Sequence, residues 1–372
     1  MDAAIYQFES QDKVITPALI YYKEFIIKNI ETAIRIAGDA KRLWPHTKTH
    51  KTREITELLI AHGVTRFKCA TIAEAEVAAS CGPTDIILAY PLVGPNAARF
   101  IALKKAFPEV RFWAIGDNLD RIRELGSAAV KADTTIDFLV DVNLGQDRTG
   151  VAIDKVVDFY EAAAAIDGIV PDGCHCYDGH IHQSDFEVRT RLAAEIMEAT
   201  TAVKQELLSK GYSCTNMVMG GTPTFPCYAQ YPDVFLSPGT MFLSDYGYGS
   251  SYREMDLMPA GVVMSRVISR PTSTKFTLDL GYKGVASDPE GVRGVIVGLE
   301  DIAVPVSQNE EHWIFEVTAG KEDKIPPVGT EVFVIPTHIC PTSALYPSVP
   351  VVENGKITEY WEIAARNRKI TY

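Results

Sequence analysis

Short apolar runs alternate with longer stretches of helical periodicity through the first two-thirds of the chain. Residues 18–22 (ALIYY) form an unbroken apolar run behind Pro17 and predict a strand. Phe25, Ile26, Ile30, Ile34 and Ala37 then recur near helical spacing, and Gly38-Asp39 ends that helix. Further strands are expected at 41–47, 66–70, 85–90, 111–115, 136–142, 173–177, 217–219 and 234–236. Helices are expected between them, among them 95–107, 119–130, 153–166 and 185–209. Thr71-Ile-Ala-Glu74 has the form of a capping box ahead of an alanine-rich helix.

Strand–helix alternation of this kind predicts a parallel sheet with crossover helices. Strands buried on both faces explain runs such as IILAY and FWAI, which lack polar alternation. The expected fold is α/β: a (β/α)8 TIM-like barrel over residues 17–245. The alternative is an open doubly wound sheet, but no GxGxxG follows the first strand. Past residue 245 the texture changes to short β-rich segments at 261–269, 275–280, 294–297, 313–317, 331–335 and 349–352, separated by Gly and Pro turns. Residues 246–372 therefore predict an antiparallel β domain, and residues 1–16 are expected to join it as an extra strand.

Composition narrows the class. The fractions of 47% hydrophobic and 23% charged residues are those of an ordinary soluble chain. A net charge of −12 argues against nucleic-acid binding, which needs a basic footprint. No apolar run is long enough to span a bilayer, and the first residues lack the pattern of a secretory signal. Seven scattered cysteines predict reduced thiols and a cytoplasmic location.

The densest cluster of chemistry-bearing residues is 45–51, PHTKTHK. Lys48 falls at the carboxyl end of its strand, where barrels place their chemistry. It reads either as a surface lysine or as an amine that condenses with an aldehyde cofactor. Gly220-Gly221-Thr222 follows another strand end. It is either a tight turn or a phosphate cradle, with 237–240 (SPGT) completing it. Arg148, in DVNLGQDRTG, is a candidate donor to a cofactor oxygen or a substrate carboxylate, or one half of a structural ion pair. In GCHCYDGHIH, Cys174 and Cys176 share a strand face and His175 points away, so they form no compact ligand set. The cysteines read as packing, whereas His180 and His182 lie beyond the strand, within reach of a pocket. His338 and Cys340 in an extended H-x-C pair would share a face and chelate a borderline cation such as Zn²⁺. The competing reading is a buried cysteine beside a hydrogen-bonded histidine.

Together these segments resemble a known family. PHTKTHK resembles the lysine motif of fold-type III pyridoxal-phosphate enzymes, and more narrowly that of the D-threonine aldolase / D-serine dehydratase family. The likeness runs on through DVNLGQDRTG, YDGH, GGTPT, SPGT and PTHICPT, so it covers nearly the whole chain. It implies an alanine-racemase-like barrel with a β domain, usually homodimeric, holding pyridoxal 5'-phosphate and a divalent metal (Zn, Mn or Mg). It implies Lys48 as the lysine that condenses with the cofactor, Arg148 near the phenolic oxygen and Tyr177 near the pyridine ring. Gly220, Gly221 and Thr222 would hold the phosphate. His338 and Cys340 match the paired metal ligands, and His182 or His180 is the implied general base.

The activity the resemblance implies is a lyase acting on D-3-hydroxy amino acids, cleaving them to glycine and an aldehyde. The alternative is a dehydratase of D-serine or 3-hydroxy-D-aspartate, giving ammonia and a 2-oxo acid. An amino-acid racemase and a non-catalytic cofactor-binding protein are further alternatives. Two departures stand out. The aldolases resemble H-x-D at the metal pair, where this chain has H-x-C, as in the dehydratases. The aldolases also carry a histidine where this chain has Gln183, with His182 one position earlier.

Overall fold

The computed structural model describes residues 1–372. The first strand, β1 (Ala18–Tyr22), and the first helix, α1 (Lys23–Ala37), form where the pattern predicts them. Then come α2 (Arg53–Ala61), β2 (Arg66–Cys69), α3 (Ile72–Ala79), β3 (Asp85–Leu88), α4 (Asn96–Ala106), β4 (Arg111–Gly116) and α5 (Leu119–Lys131). β5 (Ile136–Asn143), the two-residue β6 (Val151–Ala152), α6 (Val156–Ala164), β7 (Ile169–Cys176), α7 (Phe186–Ser209), β8 (Asn216–Met219), the single-turn α8 (Phe225–Tyr228) and β9 (Phe235–Leu236) follow. At the expected capping box the Glu74 amide donates to Thr71 Oγ1 at 3.1 Å, and the Glu74 carboxylate accepts from the amide of Ala70, one residue before the cap, at 2.6 Å.

The parallel sheet runs β2-β3-β4-β5-β7-β8-β9, with β6 on the end of β5. The expected strand at 41–47 is not a regular one. It makes two single parallel bridges, Leu43 to Leu236 and His46 to Lys68, which join the last stave to the first and close the barrel. Pro45 has no N–H to give to a ladder, which explains the interruption. The seven strands and this stretch make the eight staves. Trp44, Ile87, Trp113, Ile115, Leu139 and Val218 fill the centre. At the amino ends of the strands Arg66 pairs with Asp85 at 3.3 Å and Arg111 with Asp137 at 2.7 Å, a purely structural arrangement.

Close strand contact depends on Gly173 in β7. Its φ is +140°, and a Cβ there would lie 2.0 Å from the carbonyl oxygen of its register partner Asn216. Gly173→Ala is expected to destabilise the chain by roughly 3 kcal/mol, from the clash and the backbone strain together. A denaturant titration monitored by tryptophan fluorescence checks this.

The second unit is antiparallel. β10 (Gly261–Ser269), β11 (Lys275–Leu278), β12 (Gly294–Ile296), β13 (Ala303–Gln308), β14 (Trp313–Val317), β15 (Glu331–Pro336), β16 (Ser348–Glu353) and β17 (Lys356–Glu362) follow the helix α9 (Tyr246–Ser251). A further helix, α10 (Ile339–Leu345), lies between β15 and β16. β1 belongs here, antiparallel to β10 and parallel to β16. That corrects the expected barrel start at residue 17. The compact units are Ala33–Lys48, Arg53–Gly239 and Asn367–Tyr372 on one side, and Met1–Thr32, Thr49–Thr52 and Thr240–Arg366 on the other. An apolar run buried on both faces looks the same in either kind of sheet, so its pattern did not assign it. Residues 1–16 also differ from the expected strand: they form two short 3₁₀ turns, and Tyr6 and Phe8 pack into the core with Ile20, Tyr22 and Phe333. No helix is long and apolar enough to cross a membrane.

Candidate active site

The carboxyl ends of the barrel strands gather the polar residues. Lys48 is half-buried in the turn after the closing stretch. That stretch is fixed to β2 by the Lys68 amide donating to the Pro45 carbonyl at 2.7 Å and the Thr47 amide donating to the Lys68 carbonyl at 2.8 Å. The second half of PHTKTHK does other work. His50 is buried, and its Nδ1 accepts from the Thr52 amide at 3.2 Å. Burial, then the charge of Lys51, pushes its imidazole down to about 3, so it stays neutral. Lys51 adopts a left-handed conformation, φ 55°, with its carbonyl accepting from the Ala365 amide at 3.2 Å.

Arg148 lies over the ring of Tyr177, 4.9 Å from its centroid, so the structure brings together these two residues, which the resemblance paired with the cofactor. Gly220 (φ +70°) and Gly221 form the expected turn after β8. A Cβ at Gly221 would meet the Tyr177 ring at 2.9 Å, which explains why no larger residue fits between them. The Gly221 amide donates to Thr224 Oγ1 at 3.3 Å, and the Gly239 amide to the buried Thr222 Oγ1 at 3.1 Å. The GGT and SPGT turns are therefore linked through Thr222, as expected of one cradle. His180 lines a cavity of about 600 Å³ with Asn143, Asp147, Gln183 and Glu195, and its Nδ1 is buried without a hydrogen-bond partner. His182 is exposed.

Three residues of the site escaped the sequence reading. Asp141 and His175 are register partners across β5 and β7, and Asp141 Oδ1 accepts from His175 Nδ1 at 2.7 Å. That bond leaves His175 Nε2 as an acceptor, and Lys68 Nζ, reaching across the barrel from β2, donates to it at 3.4 Å. The three are 3–4% exposed, and the Lys68 amine lies 5.5 Å from the centre of the Tyr177 ring. Burial first, then the charges of Lys48 and Arg148, pushes the Lys68 amine down to about 7 against the pull of Asp141 and Asp178. Burial and Lys68 also lower His175. Burial opposes ionisation of Asp141, but the His175 N–H and its neighbours Thr149 and Arg148 hold its carboxyl low. The available signal was a single charged residue inside an apolar strand, Lys68 in RFKC and Asp141 in FLVDVN.

These residues fit an anionic aromatic aldehyde: two amines, a guanidinium over a flat ring, and glycines that clear the ring.

In the antiparallel unit, His338 and Cys340 are not in extended chain as expected. His338 is the N-cap residue of α10 and Cys340 lies in its first turn, with Pro341 next, where a helix tolerates proline. They remain together, because the thiol hydrogen-bonds the imidazole. Burial opposes protonation of His338, but Cys340 and then Asp288, whose Oδ2 lies 2.5 Å from Nδ1, raise it to about 9. Thr49 Oγ1 and Thr240 Oγ1 lie 3.2 and 3.4 Å from the Cys340 sulfur. The buried Asp245 holds the start of α10, accepting from the Ile339 amide at 3.0 Å as well as from Tyr248 at 2.8 Å. An imidazole and a thiol suit a borderline divalent cation, and Asp288 occupies the imidazole's other nitrogen as a supporting carboxylate does. No group of three or more His, Cys, Asp or Glu side chains is arranged for a metal.

A parallel barrel with a lysine beyond its first stave, joined to an antiparallel domain, defines the class of alanine-racemase-like enzymes. The chain belongs to the family described as "Alanine racemase, N-terminal domain", matched over residues 24–246, and residues 260–352 match "Putative serine dehydratase domain". It is 28% identical to the D-threonine aldolase of an Arthrobacter species over 87% of this chain and 85% of that one. It is 20% identical to the D-threo-3-hydroxyaspartate dehydratase of a Delftia species, over 93% and 96%. The crystal structure of D-threonine aldolase from Filomicrobium marinum superposes with a TM-score of 0.87 at 26% identity, covering 98% of this chain and 99% of that one. The chain is thus a lyase of the pyridoxal-phosphate-dependent, fold-type III kind.

Proposed function

We propose that the protein cleaves D-3-hydroxy amino acids between Cα and Cβ, releasing glycine and an aldehyde, as a D-threonine-aldolase-like enzyme. The observation that carries this reading is Arg148 over the Tyr177 ring beside the glycine turn after β8, on a chain similar over most of its length to a D-threonine aldolase. When bound, pyridoxal phosphate supplies an aldehyde for amines and an electron-accepting ring, and a divalent cation makes a substrate hydroxyl more acidic.

Lys48 would offer its amine to that aldehyde, Arg148 and Tyr177 would hold the cofactor ring, and Gly220, Gly221 and Thr222 would hold the phosphate. His338 and Cys340 would hold the cation. His180 or His182 would take the hydroxyl proton. A homodimer is part of the reading and is checked by sedimentation.

Dehydration to ammonia and a 2-oxo acid is the second reading, favoured by the thiol of Cys340 in the metal pair. In it Lys48 takes the Cα proton. Incubating the cofactor- and metal-loaded protein with D-threonine separates the two. Glycine plus acetaldehyde is expected; ammonia plus 2-oxobutyrate would replace the first reading with the second.

A further inference from the structure

We infer that Lys68 is a positioning residue for Lys48: its amine, held by His175 and Asp141, controls the protonation of the linkage that Lys48 makes with the cofactor aldehyde. The inference rests on the cofactor reading above. It stands on geometry. Lys68 is buried in the barrel interior, yet it makes no ion pair of its own; its amine donates to a neutral imidazole. The two nearby carboxylates are already engaged: Asp141 accepts from His175, and Asp178 accepts from Thr224 Oγ1 and Tyr228 Oη, both at 2.8 Å. Lys48 is the strongest electrostatic neighbour of Lys68, ahead of Asp141, Arg148 and Asp178. The backbone of Lys68 is bonded on both sides to the stretch that ends in Lys48, which keeps the two lysines in fixed relation.

The charge of Lys48 itself is one cause of the lowered Lys68 amine; once Lys48 is taken up in the linkage that repulsion is gone, and Lys68 stands beside it as the cation. A cation there disfavours a second positive charge on the linkage nitrogen. His175 contributes an acceptor rather than a charge, and Asp141 fixes the tautomer that provides it.

The test is an absorbance titration of the cofactor-loaded protein, since the protonated and unprotonated linkages absorb at different wavelengths. The pH midpoint is read for wild type, Lys68→Met and Lys68→Arg. Lys68→Met is expected to raise the midpoint by about one pH unit or more. Lys68→Arg keeps the cation and is expected to stay at or below the wild-type midpoint. A midpoint unmoved in Lys68→Met overturns the inference, as does a rise in Lys68→Arg equal to that in Lys68→Met, which would mean packing alone. Borohydride fixation followed by peptide mapping accompanies each sample. If wild type carries no label at Lys48, the cofactor reading falls and this inference with it; a labelled Lys48 with an unmoved midpoint removes only the inference. If Lys68→Met does not fold, the Lys68→Arg titration decides: a rise overturns the inference, and a midpoint at or below wild type supports it.

Discussion

Lys48→Ala is expected to lower turnover by roughly a thousand-fold or more, since it removes the amine that would anchor the cofactor aldehyde. It should also remove the label that borohydride leaves on the cofactor-loaded protein. The second readout separates loss of chemistry from loss of binding. If the label appears instead on Lys51, the assignment of the reactive lysine is wrong. The structure gives Lys51 another task, because its left-handed backbone is tied to Ala365. Lys68 is the more informative control. It is a second amine in the same barrel interior, pushed down to about 7, and its label would move the chemistry from the closing stretch to β2.

Stripping divalent metal with a chelator is expected to lower turnover by about a hundred-fold or more while leaving the cofactor absorbance in place, in line with the several kcal/mol that a Lewis acid contributes. Cys340→Ala and His338→Ala should behave like the stripped protein, and added Zn²⁺ or Mn²⁺ should not restore them. Asp288→Asn should leave both ligands present but weaken metal affinity by about 10- to 100-fold, because the carboxylate no longer orients the His338 ring. Turnover unchanged by the chelator would remove the metal role of this pair. The thiol would then be what the bland reading of the sequence offered, a partner of the histidine.

Much of the barrel was legible because helix and strand carry different periods. Most elements lie within a few residues of their expected bounds, and β1, α1, β10 and β14 match them. The errors have specific causes. β1 is apolar on both faces and says nothing about which sheet it joins. The closing stretch is broken by Pro45 and survives as two bridges. α10 hides in a proline-containing segment that reads as loop, and its formation turned an extended H-x-C pair into a helix start.

The sequence alone determined the candidates for the chemistry: the lysine motif, the Arg148 loop, the glycine turn and the H-x-C pair are local patterns, readable without coordinates. The tertiary structure alone determined that Lys68, His175 and Asp141 form one line. Lys68 and His175 are 107 residues apart in the chain, and their strands are not neighbours in the sheet. Only closing the barrel turns their side chains toward the same interior, where low polarity makes a lysine's charge costly and its proton mobile.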